Sequence, residues 1–183
     1  MSHHEICHSL HPLTSTIHPN NNSLDKVWWA EPGLPLSTPQ PEDSPASLNV
    51  AGAACGINGS GRNYDYPKNI YGDPLPTIIQ ACYAPGDEIE LKTKLTVGHD
   101  GHFEYKVCPL VEAGGVASQD CFDRHKLEFV SDELYNMPKH DEYTERAYIP
   151  WGVSQFKHKY RLPEDVEGDN VLIQWTYVTA NTW

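Results

Sequence analysis

The sequence predicts an all-β protein, an antiparallel β-sandwich with long loops. Short segments that alternate apolar and polar residues recur in the C-terminal half, and turn-forming sequences separate them. No segment carries the long apolar repeat of 3.6 residues that marks an amphipathic helix. A length of 183 residues suits one domain with a single core. We therefore expect one sandwich domain over residues 24–183.

The first 76 residues predict little regular structure. Residues 1–23 are rich in His, Asn, Ser and Pro without periodicity, so we expect a disordered arm. Four histidines near Cys7 could bind a transition metal, but their spacing matches no closed zinc site, and a solvated arm is preferred. Residues 24–76 are interrupted by proline and glycine, which favour extended loops over central strands.

Six strands are predicted after this region. Their alternation is strongest in the last strand, where Trp175 and Tyr177 follow an apolar start. The predicted strands are Thr77–Tyr83, Glu88–Val97, Gly101–Cys108, Leu127–Val130, Val153–Leu162 and Val171–Thr179. Turn sequences such as Ala84-Pro-Gly-Asp87 separate them.

The second and third strands meet at a corner that carries a histidine. Gly98 and Gly101 fit the tight turn between these strands, which places His99 at a strand end. A side chain there can be held rigidly and still face solvent or a metal ion. A lone histidine is more often structural than a ligand, so the residue pattern by itself favours the structural role.

The charge and the hydropathy exclude several classes of partner. The formal charge of -12 repels nucleic acids and anionic membrane surfaces. No apolar run approaches the ~20 residues of a membrane span, and residues 1–22 show no signal peptide. We therefore expect no nucleic-acid or membrane partner. A monomer is a separate expectation.

The cysteines indicate an oxidising compartment. Cys108 and Cys121 flank a glycine-containing loop and could close a short disulfide. Cys7, Cys55 and Cys82 then allow at most one further pair. Two Asn-Xaa-Ser sequons also suit secretion, while a cytosolic protein with free thiols is the alternative.

Several segments together resemble a known family. No nucleophile elbow, His-Glu-Xaa-Xaa-His or Cys-Xaa-Xaa-Cys motif is present. The sequence around residues 28–181 resembles the chitin-binding type-4 group of lytic polysaccharide monooxygenases, in particular its diatom and oomycete branch. The segments that carry this resemblance are Cys55–Ile57, Tyr64–Asp65, Thr96–Pro109, Cys121–Phe122, Tyr160–Pro163 and Val171–Asn181.

The resemblance implies an immunoglobulin or fibronectin-III-like sandwich that binds insoluble chitin or cellulose around one copper ion. His99 matches one histidine of the copper-binding brace. The family takes the other from the first residue after export, and His11 or His18 are the candidates for it here. Secretion is implied as well.

A non-catalytic carbohydrate-binding module on the same fold is the alternative. Exposed aromatic side chains would then stack on sugar rings without a metal ion, and Tyr64, Tyr66 and Trp151 are the candidates. An adhesion module without a glycan ligand is a third hypothesis.

The chain also departs from the family pattern. Gly98 stands where the family has asparagine before the brace histidine, and Trp183 stands where the related branch has cysteine. We expect the domain to be truncated at its C-terminus, before the strand that supplies the axial aromatic ligand in the family.

Overall fold

The computed structural model describes residues 6–9, 81–95, 98–116, 118–178 and 180, with the backbone alone for residues 6–9. Its strands are short and are joined by turns, and one of them has only two residues. The strands are β1 Ile6–Ser9, β2 Ala81–Tyr83, β3 Glu88–Lys94, β4 His102–Pro109, β5 Glu128–Asp132, β6 Ala147–Tyr148, β7 Gln155–Arg161 and β8 Val171–Val178. One helix, α1, spans Gln119–Arg124.

The strands form two sheets. One sheet has the order β2-β1-β8-β4-β6 and the other the order β3-β7-β5. Neighbouring strands are antiparallel, except that β1 runs parallel to β8. The two sheets cover a common apolar core, which confirms the predicted all-β sandwich.

Alternation along the strands explains which residues enter this core. In β3, Ile89 and Thr93 are buried while the charged residues between them are exposed. In β4, the side chains of Phe103, Tyr105 and Val107 all point inward. Residues from both sheets meet in one cluster: Ile89, Leu95, Phe103, Tyr105, Val107, Leu127, Phe129, Ala147, Ile149, Phe156, Tyr160, Leu162, Val166, Val171, Ile173 and Trp175.

The predicted corner joins the two sheets. The strands before and after it, β3 and β4, belong to different sheets and do not pair with each other. β3 pairs along its whole length with β7, and β4 pairs along its whole length with β8. Residues 98–101 therefore carry the chain from one layer of the sandwich to the other.

A short helix and a disulfide cover one end of β4. Ser118 caps the helix by accepting a hydrogen bond from the amide of Cys121 at 3.3 Å. Cys121 forms a disulfide with Cys108 of β4, which closes the loop that the sequence indicated. Both cysteines and Phe122 are buried in a second, smaller cluster. The helix was not predicted, since six residues are too few for a visible apolar repeat.

Four residues of the expected arm form a strand. Ile6–Ser9 lies between β2 and β8, with His8 opposite Val171 and Ser9 opposite Leu172. Its pairing partners are remote in sequence, so local composition carried no sign of it. The rest of the arm lies outside the described residues, and the boundary at residue 23 stays a prediction. No helix within the described ranges is long and apolar enough to cross a membrane.

Candidate functional site

The corner at residues 98–101 has a backbone that few residue types adopt. Asp100 has a φ of 50° and Gly101 a φ of 90°, both in the left-handed region. Aspartate tolerates this region better than most side chains, and glycine adopts it without a steric penalty. The pair makes the sharp change of direction that carries the chain from one sheet to the other.

A second loop, Ile149–Ser154, packs against the corner. The amide of Ile149 donates to the carbonyl of Gly101 at 3.1 Å, and the amide of Leu95 donates to Ser154 at 2.7 Å. Between these bonds, a Cβ added at Gly98 would lie 2.3 Å from the carbonyl oxygen of Val153. No side chain fits there without a shift of the backbone. This contact gives a physical reason for glycine at position 98.

The backbone of His99 is held from both sides by the end of β8. Its amide donates to the hydroxyl of Tyr177 at 2.7 Å, and its carbonyl accepts from the amide of Ala180 at 3.0 Å. Tyr177 is itself positioned by Trp175, on which it stacks with ring centroids 6.2 Å apart. Burial raises the pKa of Tyr177, so its phenol stays a neutral hydrogen-bond partner. His99 is half-buried at a rigid point of the fold.

The neighbouring Asp100 carries an unpaired carboxylate oxygen. Its Oδ1 is buried and has no hydrogen-bond partner among the described residues. A buried carboxylate oxygen is stabilised by a cation or a donor. The electrostatics beside His99 therefore suit a bound cation.

His102 is engaged elsewhere. Its Nε2 lies 3.1 Å from Glu104 Oε1, and the same oxygen accepts from Nε of Arg146 at 3.2 Å. The ring of His102 also contacts that of Tyr148, with centroids 5.5 Å apart. This network lies on the outer side of β4, so the corner contributes His99, and His102 belongs to a separate hydrogen-bonded group with Glu104 and Arg146.

The two partners of Glu104 stabilise its charged form. The hydrogen bond from His102, followed by the charges of His102 and Arg146, lowers the pKa of Glu104 to about 2. The stabilisation is present above the ordinary pKa of 4.5 and is lost as the pH falls through 2.

A Glu104→Gln variant is therefore expected to lose about 2 kcal/mol of unfolding free energy at pH 7, since it leaves the guanidinium of Arg146 without its carboxylate and weakens the hydrogen bond to His102. Urea denaturation at pH 7 measures this loss. At pH 3 the difference in unfolding free energy between the variant and the wild type should be smaller, because the wild type has then lost part of the stabilisation from Glu104. The control is Glu133→Gln, which removes a surface carboxylate 3.7 Å from Lys159 and should change stability by less than about 1 kcal/mol. An equal loss in both variants would contradict the role of the network.

The other residues named from the sequence fall into two groups. Trp151 lies in the loop that packs on the corner, and 71% of its surface is exposed. His11, His18, Tyr64 and Tyr66 lie outside the described residues. Among the described side chains, no group of three or more His, Cys, Asp or Glu could hold a metal ion.

Two contacts, one at the corner and one in the separate group around Glu104, were missed in the sequence. Tyr177 was assigned to a core strand, and its contact with His99 joins residues 78 positions apart. Arg146 lies beside the two-residue strand β6, which is too short to predict, so its bond to Glu104 had no sequence signal.

Comparison with known proteins identifies the family to which the chain belongs. Residues 14–183 match the family model described as lytic polysaccharide mono-oxygenase, cellulose-degrading. A search of curated proteins finds no match. Among solved structures, the chain is similar to the lytic polysaccharide monooxygenase AA15 from Thermobia domestica in the Cu(I) state, at 27% identity and a TM-score of 0.48. The match covers 62% of this chain and 52% of that chain, about half the length of the relative. Because the family model spans nearly the whole sequence, the chain belongs to the lytic polysaccharide mono-oxygenase family.

Proposed function

We propose that the chain is an extracellular copper monooxygenase domain that oxidatively cleaves insoluble chitin or cellulose. Family membership supports the class of reaction. The observation that carries the proposal is the rigid corner at His99, whose backbone is bonded to Tyr177 and Ala180. A ligand on a backbone held in this way keeps its position when a metal binds.

The corner would offer one nitrogen ligand to a copper ion. His99 would donate one ring nitrogen, and imidazole is a ligand that suits copper. The unpaired oxygen of Asp100 places negative charge beside it. When bound, copper would supply one-electron redox chemistry. The chain itself would hold His99 in place and present the glycan to the corner.

The second histidine would come from the segment after β1. Ser9 pairs with Leu172, and β1 runs parallel to β8, so β1 points from Ile6 to Ser9 toward the end of β8 that holds Tyr177. Tyr177 lies five residues beyond Leu172, which is about 17 Å at ~3.3 Å per residue. Nine residues of chain to His18 can span about 30 Å, whereas two residues to His11 span about 7 Å. Chain length therefore favours His18.

Copper titration by calorimetry tests the ligand assignment. A His99→Ala variant is expected to bind copper at least ~100-fold more weakly at the specific site, because a ligand is lost. His125→Gln is the control, since His125 lies near the opposite end of β4, where its carbonyl accepts from Val107. Any weak binding by the histidines of residues 3–11 would be a background common to the wild type, His99→Ala and His125→Gln. Equal affinity in wild type and His99→Ala would overturn the proposal.

The same titration separates the two candidates for the second ligand. A His18→Ala variant should lose affinity as His99→Ala does, and His11→Ala should retain it. The reverse result would assign His11.

Trp151 is proposed to stack on the glycan together with Tyr64 and Tyr66. Its side chain is 71% exposed in the loop that packs on the His99 corner. A Trp151→Ala variant should bind chitin or cellulose about fivefold more weakly, because one aromatic stacking contact contributes ~1 kcal/mol. Its melting temperature should stay unchanged, since an exposed residue adds little to the core.

A sedimentation assay with insoluble chitin and cellulose measures this binding. Val111→Ala is the matched control, since Val111 is 77% exposed and follows the far end of β4. Retention of Trp151→Ala at the wild-type level would remove Trp151 from the glycan surface.

A non-catalytic carbohydrate-binding module is the second candidate. It is favoured by the presence of one corner histidine and no cluster of metal ligands in the described ranges. Incubation with copper, a reductant and chitin or cellulose separates the candidates. Oxidised oligosaccharides support the monooxygenase, while glycan binding that persists with a chelator and yields no oxidised product supports the binding module.

A further inference from the structure

We propose that Cys7 and Cys82 form a cross-strand disulfide that fastens β1 to β2. The two strands are antiparallel, with Cys7 directly opposite Cys82, Ile6 opposite Tyr83 and His8 opposite Ala81. Directly opposed residues in such a pair have Cα atoms about 4.5–5.5 Å apart and lie on the same face of the sheet. A disulfide requires Cα atoms roughly 4.4–6.8 Å apart. The register therefore places both cysteines within bonding range.

The Cys82 thiol is accessible to an oxidant. It is exposed and free in the structure. Its neighbours Ala81 and Tyr83 are half-buried, and Tyr83 packs against the core, so Cys82 lies on the outer face of the five-stranded sheet. The Cys108–Cys121 bond is buried by comparison. A disulfide at Cys82 would be the one open to exchange with small thiols.

Disulfide exchange with glutathione disulfide accounts for the bond. The Cys82 thiolate attacks one sulfur of glutathione disulfide, forms a mixed disulfide and releases one glutathione. The Cys7 thiolate then attacks the Cys82 sulfur of the mixed disulfide and releases the second glutathione. The two electrons and the two thiol protons pass to the two released glutathione molecules.

The bond would secure one edge of the five-stranded sheet, where β2 lies outside β1. β2 reaches the rest of this sheet through β1, because the order is β2-β1-β8. β1 in turn contacts β8 at two register positions, His8 with Val171 and Ser9 with Leu172. A covalent link also closes the chain between residues 7 and 82 into a loop, which lowers the entropy of the unfolded state.

Tryptic peptide mapping under non-reducing conditions tests the pairing directly. The sequence places the cysteines on separate peptides, with Cys7 in residues 1–26, Cys55 in residues 27–62 and Cys82 in residues 69–92. Cys108 and Cys121 share residues 107–124. The full-length protein is equilibrated with glutathione disulfide, free thiols are alkylated before unfolding, and the digest is analysed by mass spectrometry. We expect residues 1–26 linked to residues 69–92.

Two variants control the assignment. Cys55→Ser should leave this linked peptide in place, since Cys55 takes no part in the bond. Cys82→Ser should abolish it and leave Cys7 alkylated. A link from Cys55 to Cys7 or to Cys82, or recovery of Cys7 and Cys82 both alkylated in the wild type, would overturn the proposal.

Hydrogen exchange measures the effect on the fold. Mild reduction of the oxidised protein should speed amide exchange in residues 81–83, where β2 pairs with β1, at least tenfold. The amides of β4 are the internal reference. They are hydrogen-bonded to β8, away from the β2–β1 edge, so their exchange should not change on reduction. Exchange in residues 81–83 that is the same before and after reduction would show that the bond does not hold β1 in the sheet.

Discussion

A Gly98→Ala variant is expected to lose about 3 kcal/mol of unfolding free energy and to weaken the copper binding that we propose for His99. The new Cβ would lie 2.3 Å from the carbonyl oxygen of Val153 and 3.5 Å from its carbon. Both atoms are backbone, so no side-chain rotation relieves the overlap. Overpacking of this kind costs roughly 1–3 kcal/mol or more. The corner or the loop must move, and the backbone that positions His99 moves with it.

Urea denaturation and copper titration of the same protein measure both effects. Gly152→Ala is the matched control in the adjoining loop, because its Cβ would meet nothing within 4 Å and its only penalty is a φ of 75°. A left-handed alanine costs roughly 1–2 kcal/mol. If Gly98→Ala costs no more than Gly152→Ala, the corner and the loop are not in the close contact described above.

A His158→Phe variant is expected to resist acid better than the wild type by about 3 kcal/mol. His158 is 1% exposed in the core, and its ring lies 5.6 Å from that of Phe129. Neither ring nitrogen has a hydrogen-bond partner among the described residues. Burial lowers the pKa of His158 from 6.5 to about 4, although the nearby carboxylate of Asp132 opposes this shift.

The direction of the pH effect follows from this pKa. Between pH 6.5 and 4, the unfolded chain binds a proton at His158 while the folded chain does not. The contribution of neutral His158 to the unfolding free energy is therefore fully present above pH 6.5 and declines as the pH falls toward 4. A difference of about 2.5 pKa units corresponds to about 3 kcal/mol. Phenylalanine cannot be protonated, so the variant lacks this decline.

Urea denaturation at pH 7.5 and pH 4 measures the difference. Phe122→Leu is the control, because it lies in the separate cluster beside the disulfide and carries no titratable group. It should lower the unfolding free energy equally at both pH values. If the unfolding free energies of the wild type and of His158→Phe fall by the same amount between pH 7.5 and pH 4, His158 is excluded as a source of acid sensitivity.

The strands were predictable where one face of the strand is buried, because apolar and polar residues then alternate along the sequence. The prediction of Glu88–Val97 contains β3 at Glu88–Lys94, and the prediction of Val171–Thr179 contains β8 at Val171–Val178. Shorter elements were missed, because two residues in β6 and four in β1 do not establish a period. These strands form through pairing with remote partners.

The position of His99 at a corner between strands was also predictable, since glycines on both sides indicate a turn. Its role as a ligand came from resemblance to a family and stays a prediction. The contacts that hold it were not predictable. Tyr177 and Ala180 reach His99 only when β8 lies beside β4, and the loop at Val153 closes on Gly98 only when the two sheets pack.

The sequence by itself determined the period of the strands, the place of the turn and the identity of the residue at its corner. Each is a local property, since side-chain alternation and glycine geometry act over a few residues. Tertiary structure alone decided that β3 and β4 enter different sheets and that Tyr177 holds His99. It also decided that position 98 has no room for a side chain. Those outcomes depend on which distant strands pair and pack, and no local pattern encodes that choice.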